Sequence, residues 1–238
     1  MFSSDGRSDE VYQDPLWLLP RILNKLYTMW LGATYPFASW GHKSSFHYTS
    51  EIWRNRSHRI KVGNYVLVCK DVRLSASVPP GEKGDPTIIL DDYSCLCPRV
   101  HISAKNLIHI ERDVIVSASA LIMDHGHAYE DITLPIVAQG ITSGGRIRIG
   151  QGCWIGQGAA IVCTQGELVL GRNCVVGANS VVTRSFPEYS VISGIPGRVV
   201  KQYDPVKGVW VLGSRGPAVK SEEATPALAG SRVSGEAY

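Results

Sequence analysis

The feature that most constrains this chain is a six-residue repeat of Leu, Ile and Val through its middle. Leu, Ile and Val make up 60 of the 238 residues. In five blocks of three repeat positions, fixing one position per block leaves ten that the period alone determines. All ten would be filled by chance in about one sequence in a million, before correction for the choice of phase. The repeat fills all fifteen positions of five blocks: Val62, Val68, Leu74; Leu90, Leu96, Ile102; Ile110, Val116, Ile122; Ile149, Ile155, Ile161; and Leu170, Val176, Val182.

Small residues accompany this repeat. Four positions after each apolar residue, twelve of the fifteen residues are Gly, Ala, Ser, Cys or Val, and the exceptions are Asn106, Gln165 and Phe186. A period of six matches neither an α-helix nor an alternating strand. It predicts a short strand followed by a corner, three times per coil, in an all-β solenoid of about five stacked coils. A β-sandwich is the alternative, but its strands usually recur every 8–12 residues or so.

The repeat divides the chain into four parts. We expect an N-terminal helical or extended cap at residues 1–59, a parallel β-helix at 60–187 and a closing segment at 188–212. Residues 213–238 are rich in Gly, Ser, Pro, Ala and Glu, which predicts a disordered, flexible C-terminal tail. Within the β-helix the spacing slips at Pro79–Thr87 and, over the longest interval, at Asp124–Arg148, so both segments are predicted loops.

Residues 15–37 differ in kind from the repeat. Pro20 is a predicted helix start, and Ile22, Leu26, Met29 and Trp30 would share one face. We expect this helix to cover an end of the column or to pack between subunits. A peripheral membrane contact is the alternative, because Trp and cationic residues are typical of interfacial helices.

The composition limits the cellular compartments and the classes of partner that this protein could have. No run of 18 uncharged apolar residues occurs, and the acidic first fifteen residues do not resemble a secretory signal. The sequence thus predicts a cytoplasmic protein with six reduced cysteines. The inner face of the membrane is a further candidate location. A net charge of +3 is too small to indicate nucleic-acid binding.

Two histidines stand where the long interruption begins, in the segment Asp124-His125-Gly126-His127. A neutral imidazole can take a proton from a hydroxyl or an amine in a transition state. Both could instead be ordinary surface-loop residues. A third interpretation is a zinc site that adds His101 and His109, although no spacing requires it.

Two further clusters could bind a ligand. The glycine-rich run at 149–158 leaves backbone N–H groups accessible, so Gly156 or Gln157 could donate to a carbonyl oxygen that gains negative charge. Tight corners also need glycine, however. Arg184, Arg198 and Lys201 could pair with phosphates, or they could be solvated surface cations.

Taken together, these residues resemble the hexapeptide-repeat acyltransferases, particularly the galactoside, maltose and exopolysaccharide O-acetyltransferases. The likeness runs from about residue 60 to residue 201 and depends on three segments: DHGH at 124–127, IGQGCWIGQGAAI at 149–161 and VGANSVVTRSFPEYSVISGIPGRVVK at 176–201. The resemblance implies a left-handed parallel β-helix, a homotrimer, and acetyl-CoA bound as a co-substrate between neighbouring columns, with no metal and no permanently bound cofactor.

The resemblance also implies roles for single residues. His125 matches the general base, with His127 the less favoured choice, and the backbone amide of Gln157 matches the oxyanion donor. Gln157 stands where relatives often have Ser, which leaves a side-chain role open. The residues that would contact CoA are Trp154, Gly156, Gln157, Ala178, Thr183, Arg184, Arg198 and Lys201.

The predicted function is transfer of an acetyl group from acetyl-CoA to the hydroxyl of a sugar or glycan, in surface polysaccharide biosynthesis. We expect direct attack assisted by His125, without a covalent enzyme intermediate. The alternatives are a zinc enzyme resembling the γ-class carbonic anhydrases and a non-catalytic β-helix assembly subunit. The acceptor, the acyl length and the group that orients His125 are left open.

Overall fold

Short parallel strands coil into a three-sided column in the computed structural model, which describes residues 18–213. Six coils of three strands follow one another. They are β1 (Ser39–Trp40), β2 (Ser45–Phe46), β3 (Glu51–Ile52); β4 (Ile60–Val62), β5 (Leu67–Val68), β6 (Arg73–Ala76); β7 (Ile88–Leu90), β8 (Cys95–Leu96), β9 (His101–Ala104); β10 (Leu107–Ile110), β11 (Ile115–Val116), β12 (Leu121–Met123); β13 (Arg146–Ile149), β14 (Trp154–Ile155), β15 (Ala160–Val162); and β16 (Glu167–Leu170), β17 (Val175–Val176), β18 (Val181–Val182).

Corresponding strands of successive coils form three sheets. Sheet A contains β1, β4, β7, β10, β13 and β16; sheet B contains β2, β5, β8, β11, β14 and β17; and sheet C contains β3, β6, β9, β12, β15 and β18. Each strand pairs in parallel with the strand one coil away, so equivalent residues stack in register, as Ile110 does with Leu90 and Ile149. The parallel β-helix predicted from the repeat is confirmed.

The repeat residues form the core. All fifteen predicted apolar positions are 0–2% exposed, and they belong to one hydrophobic cluster that runs the length of the column. Burial on this scale is the main stabilising contribution, because a single coil has too little apolar surface to fold alone.

The column begins earlier than the repeat suggested. Trp40, Phe46 and Ile52 keep the six-residue spacing in the first coil, and Phe46 is fully buried. A search limited to Leu, Ile and Val misses this coil because aromatic rings fill two of its three inward positions. The structure therefore has six coils, and its first lies within residues 1–59, which the sequence assigned to a cap.

Helix α1 (Leu18–Thr34) covers the open end of the first coil. The hydroxyl of Thr28 donates to the carbonyl of Phe46 (3.1 Å) and accepts from its N–H (3.0 Å), while the side-chain oxygen of Asn24 accepts from the N–H of Tyr48 (3.2 Å). These backbone groups belong to a free sheet edge, which needs polar partners.

The polar contacts of α1 correct the predicted orientation of the helix. Ile22, Leu26, Met29 and Trp30 do not pack on the column: they are 46%, 57%, 62% and 50% exposed. The polar side of the helix forms hydrogen bonds with the sheet edge, so the apolar side faces away from the core. Pro20 is the third residue of the described helix rather than its first.

The remaining elements close the structure. A 3₁₀ helix, Arg54–Arg59, joins the first two coils, and the short helix α2 (Ile136–Gln139) lies in the long loop. Strand β19 (Ser190–Ser193) adds to sheet B in parallel, and β20 (Arg198–Asp204) and β21 (Val209–Leu212) continue it antiparallel. Within residues 18–213, no helix combines the length and apolarity needed to cross a bilayer. The predicted tail lies outside the described residues from 214 onward.

Candidate active site

The column is interrupted after β12, where the chain leaves sheet C at Asp124 and returns at β13. Hydrogen bonds close the stem of this loop. The N–H of Gly126 donates to the hydroxyl of Thr142 (3.1 Å), and the N–H of Gly145 donates to the carbonyl of Asp124 (2.6 Å). The first residues of the loop are therefore fixed against the column even though its tip is exposed.

Asp124 is the anchor of this region. Its carboxylate is fully buried and accepts three backbone N–H donors, from Lys105 (2.7 Å), Asn106 (2.8 Å) and Leu107 (2.9 Å), which lie at and before the start of β10. The same carboxylate accepts a fourth bond from Nδ1 of His125 (2.9 Å). Three peptide donors thus hold the carboxylate in place, and the carboxylate holds the imidazole.

This contact determines the tautomer of His125. A carboxylate can only accept a hydrogen bond, so Nδ1 carries the proton and Nε2 keeps its lone pair. The sequence left the orienting group open, and Glu130 is a second carboxylate nearby in sequence. Glu130 instead accepts from the N–H of Tyr129 at the exposed loop, so Asp124 is the orienting group.

His125 is more enclosed than the sequence indicated. The residue is 7% exposed, which excludes the interpretation of an ordinary surface-loop histidine. Nε2 has no hydrogen-bond partner among the described residues, yet it is not among the buried polar atoms left unpaired. The small exposed part of the ring therefore includes the atom that would accept a proton.

His127 is exposed, and only its backbone is held, in a bridge to Ile141. Within residues 18–213 the structure gives its ring no hydrogen bond and no neighbouring carboxylate. Its position therefore favours His125 over His127 as the base.

The histidines of the zinc interpretation do not assemble in one chain. His109 is on sheet A, where Nε2 lies 2.7 Å from Asp91, whereas His101 is on sheet C. Burial and, to smaller extents, the charges of Arg73 and His125 lower the pKa of His101, against an opposing effect of Glu51. In the part of the chain that the structure describes, no three His, Cys, Asp or Glu side chains are grouped to hold a metal ion.

The glycine-rich corner lies between β14 and β15. The N–H of Gly156 is already used, because it donates to the carbonyl of Val176 (2.8 Å) in the next coil. A Cβ at Gly156 would lie 2.6 Å from Val176 O and from Ala178 N, so glycine is needed here for close packing of the coils. Within residues 18–213 the N–H of Gln157 has no acceptor, which leaves it as the backbone donor of the pair.

Two other predicted contacts share this corner. Trp154 is 52% exposed, and its Nε1 donates to the hydroxyl of Ser117 (2.8 Å), which ties the indole to the preceding coil. Ala178 lies one coil further on, and its N–H also lacks an acceptor among the described residues. The structure thus brings Trp154, Gln157 and Ala178 together.

The remaining predicted contacts are near the end of the column. Thr183 and Arg184 follow β18 and are exposed, with the guanidinium of Arg184 over the ring of Phe186 at 5.2 Å. Arg198 and Lys201 are exposed on β20, and Nη1 of Arg198 donates to the carbonyl of Gly197 (3.0 Å). These cations are accessible to a ligand, but they do not form one tight cluster.

His125 and Gln157 lie on different corners of the column. His125 follows sheet C, whereas Gln157 precedes it, so the width of that sheet separates them. At about 3.3 Å per residue the separation is roughly 20 Å, too far for one substrate group to contact both. The structure does not bring these two predicted residues together within a single chain.

The residues that build the loop stem were not predicted from the sequence. The side-chain amide of Asn106 donates to the carbonyls of Ser143 (3.0 Å) and Gly145 (3.2 Å), and the ammonium of Lys105 donates to the carbonyl of Thr142. A signal was present, because Asn106 is one of the three exceptions to the small-residue rule. Its amide is needed to tie the loop down.

Comparison with known proteins gives relatives but no matching family model. The chain is 32% identical over 133 residues to WbbJ of Escherichia coli K12, named as a lipopolysaccharide biosynthesis O-acetyl transferase, which covers 53% of this chain and 66% of WbbJ. It is 37% identical over 109 residues to Rv3034c of Mycobacterium tuberculosis, named as an acetyltransferase, covering 43% of this chain and 35% of that protein. A serine acetyltransferase of Staphylococcus xylosus is 34% identical over 106 residues, which is 44% of this chain and 47% of that enzyme. The chain thus spans only 35–66% of the length of these relatives.

Among solved structures, the fold is similar to that of AntD, an N-acyltransferase from Bacillus cereus solved with dTDP and coenzyme A. The TM-score is 0.58 at 19% identity, covering 72% of this chain and 87% of AntD. A second AntD structure, with dTDP and 3-hydroxybutyryl-CoA, has the same TM-score over 75% of this chain. At this identity the likeness concerns the fold, a left-handed parallel β-helix. By its repeat, its sequence relatives and this fold, the chain is similar to the hexapeptide-repeat acyltransferases.

Proposed function

We propose that this protein is an acetyl-CoA-dependent O-acetyltransferase that modifies a sugar hydroxyl during surface polysaccharide biosynthesis. The observation that carries the proposal is the hydrogen bond between the buried carboxylate of Asp124 and Nδ1 of His125. It leaves Nε2 as the basic atom at the surface. The name of WbbJ supports the choice of a polysaccharide hydroxyl.

In the proposed reaction, Nε2 of His125 removes the proton from the acceptor hydroxyl while the oxygen attacks the thioester carbonyl. The tetrahedral intermediate then collapses, the carbon–sulfur bond breaks, and the imidazolium returns its proton to the sulfur of CoA. Asp124 stabilises the positive charge that His125 carries between these steps. No enzyme nucleophile is needed, and Cys153 is 1% exposed in the core, where it cannot act as one.

The oxygen of the thioester gains negative charge during the attack and needs a hydrogen-bond donor. We assign this role to the N–H of Gln157, which has no acceptor within residues 18–213. A backbone donor fixed in a corner costs little reorganisation when the charge develops. The side chain of Gln157 is exposed and has no part in this step.

The separation of roughly 20 Å between His125 and Gln157 supports a site shared by two chains. In a homotrimer, sheet C of one column would face the glycine-rich corner of its neighbour, and threefold symmetry would create three equal sites.

For acetyl-CoA we propose an extended path along the corner. Trp154 and Ala178 would contact the pantetheine arm, with Gly156 shaping the corner and Thr183 further along the column. The phosphates would lie near Arg184, Arg198 and Lys201, whose exposure leaves them free to pair with anions. The six free cysteines fit a reducing cytoplasmic compartment in which this donor would be used.

The test combines product analysis with a pair of histidine variants. Purified protein would be incubated with acetyl-CoA and a panel of nucleotide-linked and lipid-linked sugars, amino sugars included. Mass spectrometry should detect a product 42 Da heavier than the acceptor, with the acetyl group on a hydroxyl. His125→Ala should lower turnover by about 10²- to 10⁴-fold with CoA affinity kept. His127→Ala, two residues away on the exposed loop, should leave turnover within about twofold.

Three results would contradict the proposal. Unchanged turnover in His125→Ala would remove this residue from the mechanism. Acetylation only of amino sugars would replace the O-transferase with an N-transferase. Absence of CoA binding by the wild-type protein would favour a non-catalytic column.

A further inference from the structure

Helix α1 presents a continuous apolar surface to its surroundings. Its large hydrophobic residues are 41–64% exposed, and they are Leu18, Leu19, Ile22, Leu23, Leu26, Met29 and Trp30. At 100° per residue these seven side chains span an arc of about 140° with no polar residue among them. We refer to these seven residues as the outer face of α1.

The helix cannot bury this face by turning over. Its opposite side is tied to the first coil by Asn24 and Thr28, by the hydroxyl of Tyr27, which donates to the carbonyl of Ser50 (3.2 Å), and by the fully buried Leu31. Rotation would break these hydrogen bonds and leave the sheet edge unpaired. The outer face is therefore held pointing away from the column.

A cationic groove runs along one side of the outer face. A cavity of about 510 Å³ lies between α1 and the first coil, and its lining includes Arg21, Lys25 and Lys43 but no Asp or Glu. The described helix itself contains no acidic residue. Positive charge beside exposed apolar side chains matches a surface whose phosphates lie next to hydrocarbon.

This charge distribution discriminates between two occupants. A second copy placed against the outer face would bring its own Lys25 toward the Lys25 and Lys43 of the first, and the described part of the helix has no carboxylate to compensate. A bilayer with anionic lipids offers phosphates for the cations and acyl chains for the seven apolar residues.

We propose that the outer face of α1 and the adjoining cationic groove dock the protein on an anionic bilayer surface. The helix lies in the plane of the interface, its apolar side chains enter the boundary between headgroups and acyl chains, and Trp30 sits at headgroup depth. Lys25 and Lys43 pair with lipid phosphates. The column then projects away from the membrane, with its first coil nearest to the bilayer.

The experiment measures co-sedimentation of the full chain with vesicles of phosphatidylcholine, alone or with 30% phosphatidylglycerol added. The wild-type protein should bind the anionic vesicles, and binding should fall as salt is raised from 0.1 to 0.5 M. Leu26→Glu/Met29→Glu should weaken binding on the order of a hundredfold, since it removes two apolar contacts and adds two negative charges. Lys25→Gln/Lys43→Gln should weaken it about 25-fold, at about fivefold for each cation.

The matched control is Ile132→Glu/Val206→Glu, which makes the same change of charge at residues 96% and 93% exposed and far from α1 in sequence. It should bind vesicles like the wild type. All these positions are exposed, so thermal melting should be unchanged in every variant.

Several outcomes would overturn the proposal. Among them are failure of the wild-type protein to bind anionic vesicles, equal binding to neutral ones, and unchanged binding of Leu26→Glu/Met29→Glu. A lower mass of that variant in size-exclusion chromatography with light scattering would identify the outer face as an interface between copies. None of these results bears on turnover, so the acetyltransferase proposal is tested separately.

Discussion

Asp124→Asn is the substitution that best tests how the candidate site works. Oδ1 of Asp124 accepts from Lys105 N and His125 Nδ1, while Oδ2 accepts from the N–H groups of Asn106 and Leu107. In Asp124→Asn an amide nitrogen replaces one of these two oxygens, and at either place it faces hydrogen-bond donors. Placed at Oδ2 it leaves two peptide donors unpaired; placed at Oδ1 it leaves one unpaired and turns the histidine contact around.

The second orientation costs less, because it leaves a single buried donor without a partner. It should lower the free energy of unfolding by about 1–3 kcal/mol. It also makes Nδ1 of His125 an acceptor, so the proton moves to Nε2 and the basic lone pair no longer points outward. A wrong tautomer of this kind costs on the order of 10⁴-fold in turnover in a Ser-His-Asp triad, and we expect a loss of at least 10²-fold here.

Steady-state turnover and CoA binding would be measured for Asp124→Asn, His125→Ala and the double variant. Because Asp124 acts through His125, adding Asp124→Asn to His125→Ala should cost no further activity. Asp131→Asn is the control, because the exposed carboxylate of Asp131 in the same loop accepts hydrogen bonds only from the N–H and hydroxyl of Thr133 among the described residues. Turnover of Asp124→Asn within threefold of wild type, or fully multiplicative losses in the double variant, would refute this reasoning.

Two further predictions concern stability. Gly156→Ala should lower the free energy of unfolding by about 1–3 kcal/mol, because its Cβ would press on backbone atoms of the next coil. Urea unfolding measures this change, and an unchanged urea midpoint would mean that the coils can separate to make room. The pKa of His101 is lowered by burial and by Arg73, so the unfolded chain binds more protons, and stability should fall as the pH drops below about 6.5 toward the folded pKa. In melting curves between pH 7.5 and 5, His101→Gln should flatten this decline, and an equally steep decline would exclude His101 as its source.

The core of this protein could be predicted from sequence because its geometry is periodic. Fifteen inward positions in five coils follow from one rule, and each proved to be buried. The predictions failed at the N-terminal end of the column for physical reasons. Trp40 and Phe46 fill inward positions of the first coil with aromatic rings, and helix α1 meets a sheet edge whose backbone groups need polar side chains.

The candidate site could be predicted only in part, because it depends on contacts between residues far apart in sequence. The DHGH segment gave the position of the base, but nothing local to it indicates that the backbone at 105–107 would hold Asp124 from the preceding corner. The pairing of Asp124 with His125 needs the loop to close, and the loop closes through Lys105 and Asn106.

The residues that break the repeat carry the most information about what this column does. Small residues at the corners let one coil follow the next, and two of the three larger residues at these positions make contacts of another kind. Asn106 ties down the loop that bears the base, and Phe186, 5% exposed, closes the end of the core beneath the last coil. Asn106→Ala would restore the small-residue rule and improve the repeat, yet it should free the loop stem and loosen the contact that orients His125. In a solenoid of this kind, exceptions to the periodic pattern are thus the first positions at which to look for a site.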